Sequence, residues 1–112
     1  MSDRAFLGEF EQMVLLSILQ LRDRAYGPEI AELLEFRVER RVSRGALYAT
    51  LERLAAKKLT RWSIEAATSE REGSRKRRFA VTDEGLRRLR ASRDALAELW
   101  RGVEPRLAKS GR

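Results

Sequence analysis

Residues 42–66 constrain the fold more than any other part of this chain. An amphipathic helical pattern over residues 42–59 passes directly into the alternating pattern of a strand over residues 60–66. Ser43 is placed to accept a free amide of the first helical turn as an N-cap. The apolar residues recur at helical spacing and predict one stripe that a core can bury: Leu47, Leu51, Leu54, Ala55 and Leu59.

The larger side chains on the remaining surface of this helix are mostly basic: Arg44, Tyr48, Arg53, Lys57 and Lys58. Gly45 and Ala49 are small and face outward, so the helix backbone can approach base edges closely. The amides near Ser43 and the positive end of the helix dipole are suited to holding a phosphate. A basic helix followed by a basic hairpin predicts binding in the major groove of double-stranded DNA.

Individual side chains of this helix have candidate roles at DNA. Arg44 is the best candidate for bidentate recognition of guanine, although a phosphate contact alone is nearly as well supported. Tyr48 and Thr50 flank the apolar stripe and are expected to bond phosphates or pack on sugars. Arg53 is within reach of either a phosphate or Glu52.

Charge is distributed unevenly along the chain, whose formal net charge is +7 over 112 residues. Residues 1–36 contain three basic and seven acidic side chains, whereas residues 37–61 contain eight basic and two acidic ones. The excess of positive charge therefore peaks at the predicted recognition helix. This pattern favours a polyanionic partner over an ordinary solvated surface of arginines.

The composition also excludes several classes of function. The chain has no histidine and no cysteine, so disulfides and thiolate chemistry are excluded, and a zinc site would need carboxylates alone. We expect no catalytic residue, no metal and no cofactor. The sequence shows neither a signal-peptide pattern nor an apolar run long enough to span a membrane, which predicts a cytoplasmic protein without a membrane partner.

Two helices are predicted before the recognition helix. The first spans residues 7–21, and Leu15, Leu16 and Leu19 widen its apolar face enough to predict burial on two sides, one of them against a partner subunit. After a turn at residues 22–26, Pro28 opens a second helix that ends near Phe36. Tyr26 is equally suited to a DNA contact and to core packing.

The hairpin after the recognition helix has the properties of a wing. Trp62, Ile64 and Ala66 are predicted to face inward from the first strand, and Phe79 and Val81 from a second strand over residues 77–82. The loop of residues 68–76 between them is too polar to fold inward. Its basic end is predicted to contact DNA phosphates or the minor groove: Arg75, Lys76 and Arg77.

The last helix is predicted to begin at Thr82 or Asp83, with Gly85 allowing close backbone packing. Its apolar residues follow a heptad-like spacing and predict a homodimer interface to which Phe10 of the first helix also contributes: Leu86, Leu89, Leu96, Trp100 and Val103. Packing across the first helix within a monomer is the alternative. Pro105 predicts that the regular helix stops or kinks near Gly102.

Six short segments, distributed over nearly the whole chain, are weak signals one by one but specific in their order and spacing: LGEFEQMVLL (7–16), AYG (25–27), VSRGALY (42–48), LERL (51–54), RRF (77–79) and VTDEG (81–85). In these segments the chain resembles the PadR-type transcriptional regulators, a bacterial winged-helix family. The resemblance implies a homodimer that uses its first and last helices and reads a palindromic operator with two recognition helices. Lys58 stands where members usually have glycine, and Phe79 where they often have tyrosine.

The predicted architecture is therefore mainly α with a small β-hairpin, divided into a winged helix-turn-helix domain (1–82) and a dimerisation helix with its tail (83–112). The predicted function is a sequence-specific regulator, with a repressor favoured, acting on the bacterial nucleoid. The resemblance permits release by a small hydrophobic or aromatic effector in a pocket at Trp100 and Leu96, although simple packing of Trp100 in the interface is favoured. An architectural DNA-binding protein and a winged-helix adaptor between proteins stay open as alternatives.

Overall fold

The computed structural model describes residues 6–66, 75–103 and 105–107. Their elements follow the predicted order: α1 (Glu9–Leu21), a short 3₁₀ helix (Arg22–Arg24), α2 (Gly27–Val38), α3 (Arg44–Ala56), β1 (Thr60–Ala66), β2 (Arg75–Val81) and α4 (Asp83–Trp100). The predicted fold class, mainly α with a small antiparallel hairpin, is confirmed. Residues 68–74 of the predicted polar loop lie outside the described residues. None of the described helices combines the length and the apolar character that crossing a membrane requires.

Two hydroxyl caps fix where α3 and α4 begin, as the sequence predicts. The Ser43 hydroxyl accepts a hydrogen bond from the Ala46 amide at 3.1 Å, and the Thr82 hydroxyl accepts one from the Gly85 amide at 3.0 Å. Each cap satisfies one of the amides that the first helical turn leaves free. The connector after α2 therefore ends at Ser43, and β2 is followed by α4 at Thr82.

The end of α3 differs from the prediction, because the helix stops at Ala56 and not at Leu59. Lys58 has a left-handed backbone with φ of 65°. The amide of Leu59 donates a hydrogen bond to the Leu54 carbonyl at 2.9 Å, and the amide of Lys58 donates one to the Ala55 carbonyl at 2.9 Å. This pair of bonds is a Schellman motif, which ends the helix and turns the chain into β1.

One core joins the helices to the base of the hairpin. Its buried apolar residues come from every part of the fold: Leu7, Val14, Leu15, Ile18, Ala25, Ile30, Leu34, Leu47, Leu51, Leu54, Leu59, Phe79 and Leu89. Phe79 is 2% exposed, and its amide donates a hydrogen bond to the Ala25 carbonyl at 2.9 Å. The hairpin is therefore anchored on the helices through β2.

The prediction that Trp62 and Ile64 face a core is wrong, since they are 43% and 50% exposed. Trp62 lies directly opposite Phe79 and Ile64 opposite Arg77 in the hairpin register, so these residues share the face that Phe79 turns inward. The helices cover that face at its base, at Thr60, Val81 and Phe79. Beyond it, the guanidinium of Arg77 covers part of Trp62, at 4.8 Å from the ring centroid.

The first half of α4 belongs to the core, and its second half extends beyond it. Leu89 is buried, and the buried hydroxyl of Ser92 accepts a hydrogen bond from the Leu7 amide at 3.1 Å. A Cβ added to Gly85 would lie 2.3 Å from the Leu59 carbonyl oxygen, which confirms that this glycine allows close backbone packing. The helix ends at Trp100, and Gly102 has φ of 84°, in agreement with the predicted stop.

Candidate nucleic-acid interface

The exposed face of α3 consists largely of small residues. Gly45, Ala46, Ala49 and Ala56 are all exposed, and we call them the small-residue face of α3. A Cβ added to Gly45 would meet no atom within 4 Å. Because these four residues have short side chains or none, the helix backbone can approach the floor of a groove closely where they lie.

Arg44 stands at the N-terminal end of this face. It is exposed, and within the described part of the chain it makes neither a hydrogen bond nor an ion pair. The Ser43 hydroxyl next to it is used by the helix cap. Arg44 therefore keeps its full donor capacity for a ligand, and a guanidinium fits either a guanine edge or a phosphate.

Aromatic and basic side chains meet at the beginning of α2. Tyr48 of α3 packs so closely over Gly27 that a Cβ there would lie 1.8 Å from the Tyr48 hydroxyl oxygen. The ammonium group of Lys76 in β2 lies 4.9 Å from the ring centroid of Tyr26, the N-cap residue of α2. Tyr26 also forms an isolated bridge with Arg78. The fold thus places Tyr48 of α3 and Lys76 of β2 beside the start of α2, and each carries a group that can donate a hydrogen bond to a phosphate.

Thr50 does not belong to this surface. Its side chain is 3% exposed, and its hydroxyl accepts a hydrogen bond from Arg53 Nη2 at 3.1 Å. A duplex cannot reach a hydroxyl that the helix itself covers. The expectation that Thr50 would contact DNA is therefore wrong.

Arg53 and Lys57 are held by a carboxylate of α1. Lys57 Nζ lies 2.9 Å and Arg53 Nε 3.4 Å from Glu11 Oε2, so the partner of Arg53 is Glu11 and not Glu52. Burial of Glu11 acts to raise the pKa of its carboxyl group, but the hydrogen bonds from Lys57, Gly8 and Arg53 lower the pKa below its ordinary value of 4.5. These two cations join α3 to α1, although about half of each side chain stays exposed.

Sequence reasoning did not single out Glu11, which lies among the apolar residues of α1, but its position in the helix carries one local signal. Glu11 is the third residue of α1, and its carboxylate accepts a hydrogen bond from the amide of the N-cap residue Gly8 at 3.3 Å. An acidic residue at this position of a helix is typical of a capping box. Its pairing with the end of α3 depends on the tertiary fold.

Arg77 is also held within the fold. Its Nη2 lies 2.8 Å from Glu52 Oε2 on α3, and its guanidinium lies 4.8 Å from the Trp62 ring centroid and 5.4 Å from that of Phe79. It connects the hairpin to α3. Arg75 begins β2, and its side chain lies outside the described part of the structure.

The basic segment of residues 37–61 divides into two groups of equal size. Four of its cations form ion pairs, Arg53 and Lys57 with Glu11, Arg40 with Glu9 and Arg41 with Glu35. Within the described residues, the other four form none: Arg37, Arg44, Lys58 and Arg61. Half of the cations of this segment are therefore available to a polyanion without the loss of an existing ion pair.

A second surface feature is an apolar groove between α1 and α4, which we call the α1–α4 groove. Its volume is about 640 Å³, and its lining includes Leu16, Leu19, Leu86, Leu89, Leu96 and Trp100. Leu16 and Leu96 are each 50% exposed. Val103, also predicted at an interface, is exposed just after the end of α4.

Phe10 does not belong to this groove. It packs against the core, and the guanidinium of Arg40 lies 5.0 Å from its ring centroid. Gln12, which does line the groove, projects from a different side of α1. The structure therefore corrects the grouping of Phe10 with the apolar residues of α4.

Comparison with known proteins agrees with this geometry. No curated protein matches the chain. Among solved structures, a PadR-like transcriptional regulator from Bacillus cereus is 25% identical, with a TM-score of 0.71 over 92% of this chain and 93% of that one. A PadR family transcriptional regulator from Eggerthella lenta is 27% identical, with a TM-score of 0.67 over 88% and 86% of the two chains. A PadR family transcription regulator from Clostridium difficile is 26% identical, with a TM-score of 0.63 over 89% and 96%.

The sequence profile described as "Transcriptional regulator PadR-like family" matches residues 15–91, which include everything from the middle of α1 to the first half of α4. Its members are transcription regulators and not enzymes, in agreement with the expectation from the sequence. The winged-helix order, the caps and the exposed α3 all lie within the matched region. The chain belongs to the PadR-like family of transcriptional regulators.

Proposed function

We propose that this chain represses transcription as a homodimer that binds a palindromic operator. The observation that carries the proposal is the small-residue face of α3, with the unpaired Arg44 at its N-terminal end. Such a helix can enter the major groove, where Arg44 bonds a guanine edge or a phosphate. Ser43, Gly45, Tyr48 and Lys76 surround it and contact the sugar–phosphate backbone.

In this proposal residues 1–82 read DNA and residues 83–112 dimerise. The α1–α4 groove supports a dimer interface formed by α4 together with α1, because its exposed leucines are suited to burial against a second copy of the same surface. A two-fold axis through that interface would set two α3 helices about 34–36 Å apart, one turn of duplex DNA.

The proposal extends to an effector and a cellular location. The α1–α4 groove, at Leu96 and Trp100, has the size and apolar lining of a site for a small aromatic molecule. Such a molecule would compete with subunit packing and release the operator. The location that fits a DNA-binding repressor of this family is the bacterial cytoplasm, on the nucleoid.

Selection of bound sites from a random duplex pool tests DNA reading. We expect an inverted repeat bound about a thousandfold or more tightly than random duplex at physiological salt. An architectural protein would bind both duplexes alike. An adaptor between proteins would bind neither, even at low salt.

Sedimentation of two matched variants tests the dimer. Leu96→Glu places a charge inside the α1–α4 groove, whereas Leu99→Glu makes the same change at a 74% exposed residue of α4 that does not line the groove. We expect Leu96→Glu to give monomers and Leu99→Glu to remain dimeric. A dimeric Leu96→Glu variant would contradict the assigned interface.

A further inference from the structure

The exposed surface of α3 presents few long side chains. Gly45, Ala46, Ala49 and Ala56 have no reach beyond their Cβ atoms, and the guanidinium of Arg53 turns back to Glu11 and Thr50. Glu52 follows Ala49 by three residues and precedes Ala56 by four, so it rises from the same face. Its side chain is 59% exposed. Arg44 and Glu52 are therefore the long side chains that this face offers to a groove.

A carboxylate at this position is unfavourable for DNA binding unless it has a specific use. Glu52 is the only acidic residue in α3, and the phosphates of a duplex repel an unpaired carboxylate. Arg77 Nη2 neutralises one oxygen, Oε2, at 2.8 Å. Within the described residues Glu52 Oε1 has no hydrogen-bond donor, so it remains available as an acceptor.

Arg77 is positioned for this pairing before DNA arrives. Its side chain is 27% exposed, and its guanidinium lies near the rings of Trp62 and the buried Phe79. Contacts with two rings restrict the rotamers of an arginine and favour a fixed direction for its donors. Because Phe79 is anchored in the core, the wing holds Glu52 from a rigid base.

We propose that Glu52 is a specificity-determining residue that accepts a hydrogen bond from the exocyclic amine of a cytosine, and that Arg77 is its positioning residue and not a DNA contact. A carboxylate is the side chain that matches the cytosine N4 amine in the major groove. This assignment rests on the proposed function, since it requires α3 to lie in the major groove. It explains why the wing stacks an arginine on two rings and turns it toward α3.

Site selection with Glu52→Gln and a matched control tests the role of Glu52. Glu35→Gln removes the same charge from a carboxylate of α2 that is 57% exposed and pairs with Arg41 at 3.6 Å. We expect the parent and Glu35→Gln to select the same operator with one preferred cytosine per half-site in the reach of Glu52. Glu52→Gln should select the same operator but lose about fivefold or more of the discrimination at that position.

The outcomes distinguish a failure of the proposed function from a failure of the role assigned to Glu52. If the parent selects no motif, the proposed sequence-specific function fails. If the parent selects a motif and Glu52→Gln selects it with every base preference intact, the function stands and the role of Glu52 is overturned.

Arg77→Gln tests the positioning role through the salt dependence of binding. We expect it to weaken the same base preference as Glu52→Gln and to leave the slope of log K against log salt unchanged. Intact preferences together with a slope that is smaller by about 0.9 would show that Arg77 neutralises a phosphate, and would overturn its assignment.

Discussion

The two ends of α3 use their basic side chains in opposite ways. At the N-terminal end Arg44 is exposed and unpaired among the described residues, and Gly45 beside it faces open space. At the C-terminal end Arg53 and Lys57 pair with Glu11, and the following turn packs against α4. The basic side chain at one end is available to a ligand, whereas those at the other end attach the helix to the fold.

This difference shows why a local excess of charge does not by itself locate an interface. A cation gains free energy at DNA by neutralising a phosphate and releasing counterions. A cation that already neutralises a carboxylate must give up that pair first. The charge count of a segment therefore overestimates its available charge, and the pairing of each side chain decides which cations a polyanion can use.

The largest effect that we predict is the difference between two glycine-to-alanine substitutions, one at the packed Gly85 and one at the open Gly45. Gly85→Ala places a Cβ 2.3 Å from the Leu59 carbonyl oxygen, where backbone must move, and should destabilise the fold by about 3 kcal/mol. Gly45→Ala meets open space in a helix and should stabilise by about 0.5 kcal/mol. Urea unfolding of both variants measures these changes in the free energy of unfolding. Equal stabilities would contradict the close packing at Gly85 and the open space at Gly45.

The second prediction compares the effects of two arginine substitutions on operator affinity and on stability. Arg44→Ala should lower operator affinity by about 1–3 kcal/mol and leave the unfolding free energy unchanged, because its side chain has no partner to lose. Arg53→Ala should instead lower stability, since Glu11 and Thr50 lose a donor, and should change affinity less. Titration of labelled operator at fixed salt, combined with thermal melts, separates the two. Equal losses of affinity would show that both ends contact DNA.

The third prediction concerns pH and the packed end. Because the pKa of Glu11 is below 4.5 in the folded state, its ionised form favours folding. That stabilisation is complete above about pH 4.5 and is lost as the pH falls through the folded pKa.

Glu11→Gln should therefore cost about 1 kcal/mol near neutral pH and almost nothing at the lowest pH at which the fold persists. Denaturant melts at several pH values measure the difference. The pKa of Glu84 is also lowered, by hydrogen bonding to Arg87, but that contribution is common to parent and variant. A constant difference across this range would contradict the role of Glu11.

The sequence predicted those features that depend on neighbouring residues. The caps Ser43 and Thr82 and the order of the elements follow from local patterns. The pairing of Glu11 with Lys57 joins residues 46 positions apart, and only the packing of α1 against α3 brings them together. The exposure of Trp62 has a similar origin, because strand alternation gives the direction of a side chain but not how far the helices extend over it.

The smallest predicted effect comes from Lys58, in the turn that joins α3 to β1. Lys58 has φ of 65°, a region in which a Cβ costs about 1–2 kcal/mol. Lys58→Gly removes that cost but adds freedom to the unfolded chain, so we expect a net stabilisation of about 0.5–1 kcal/mol. Lys58→Ala retains the Cβ and removes the same charge, so it should give no gain. Equal shifts in Tm for the two variants would assign the effect to charge and not to the backbone of the Schellman motif.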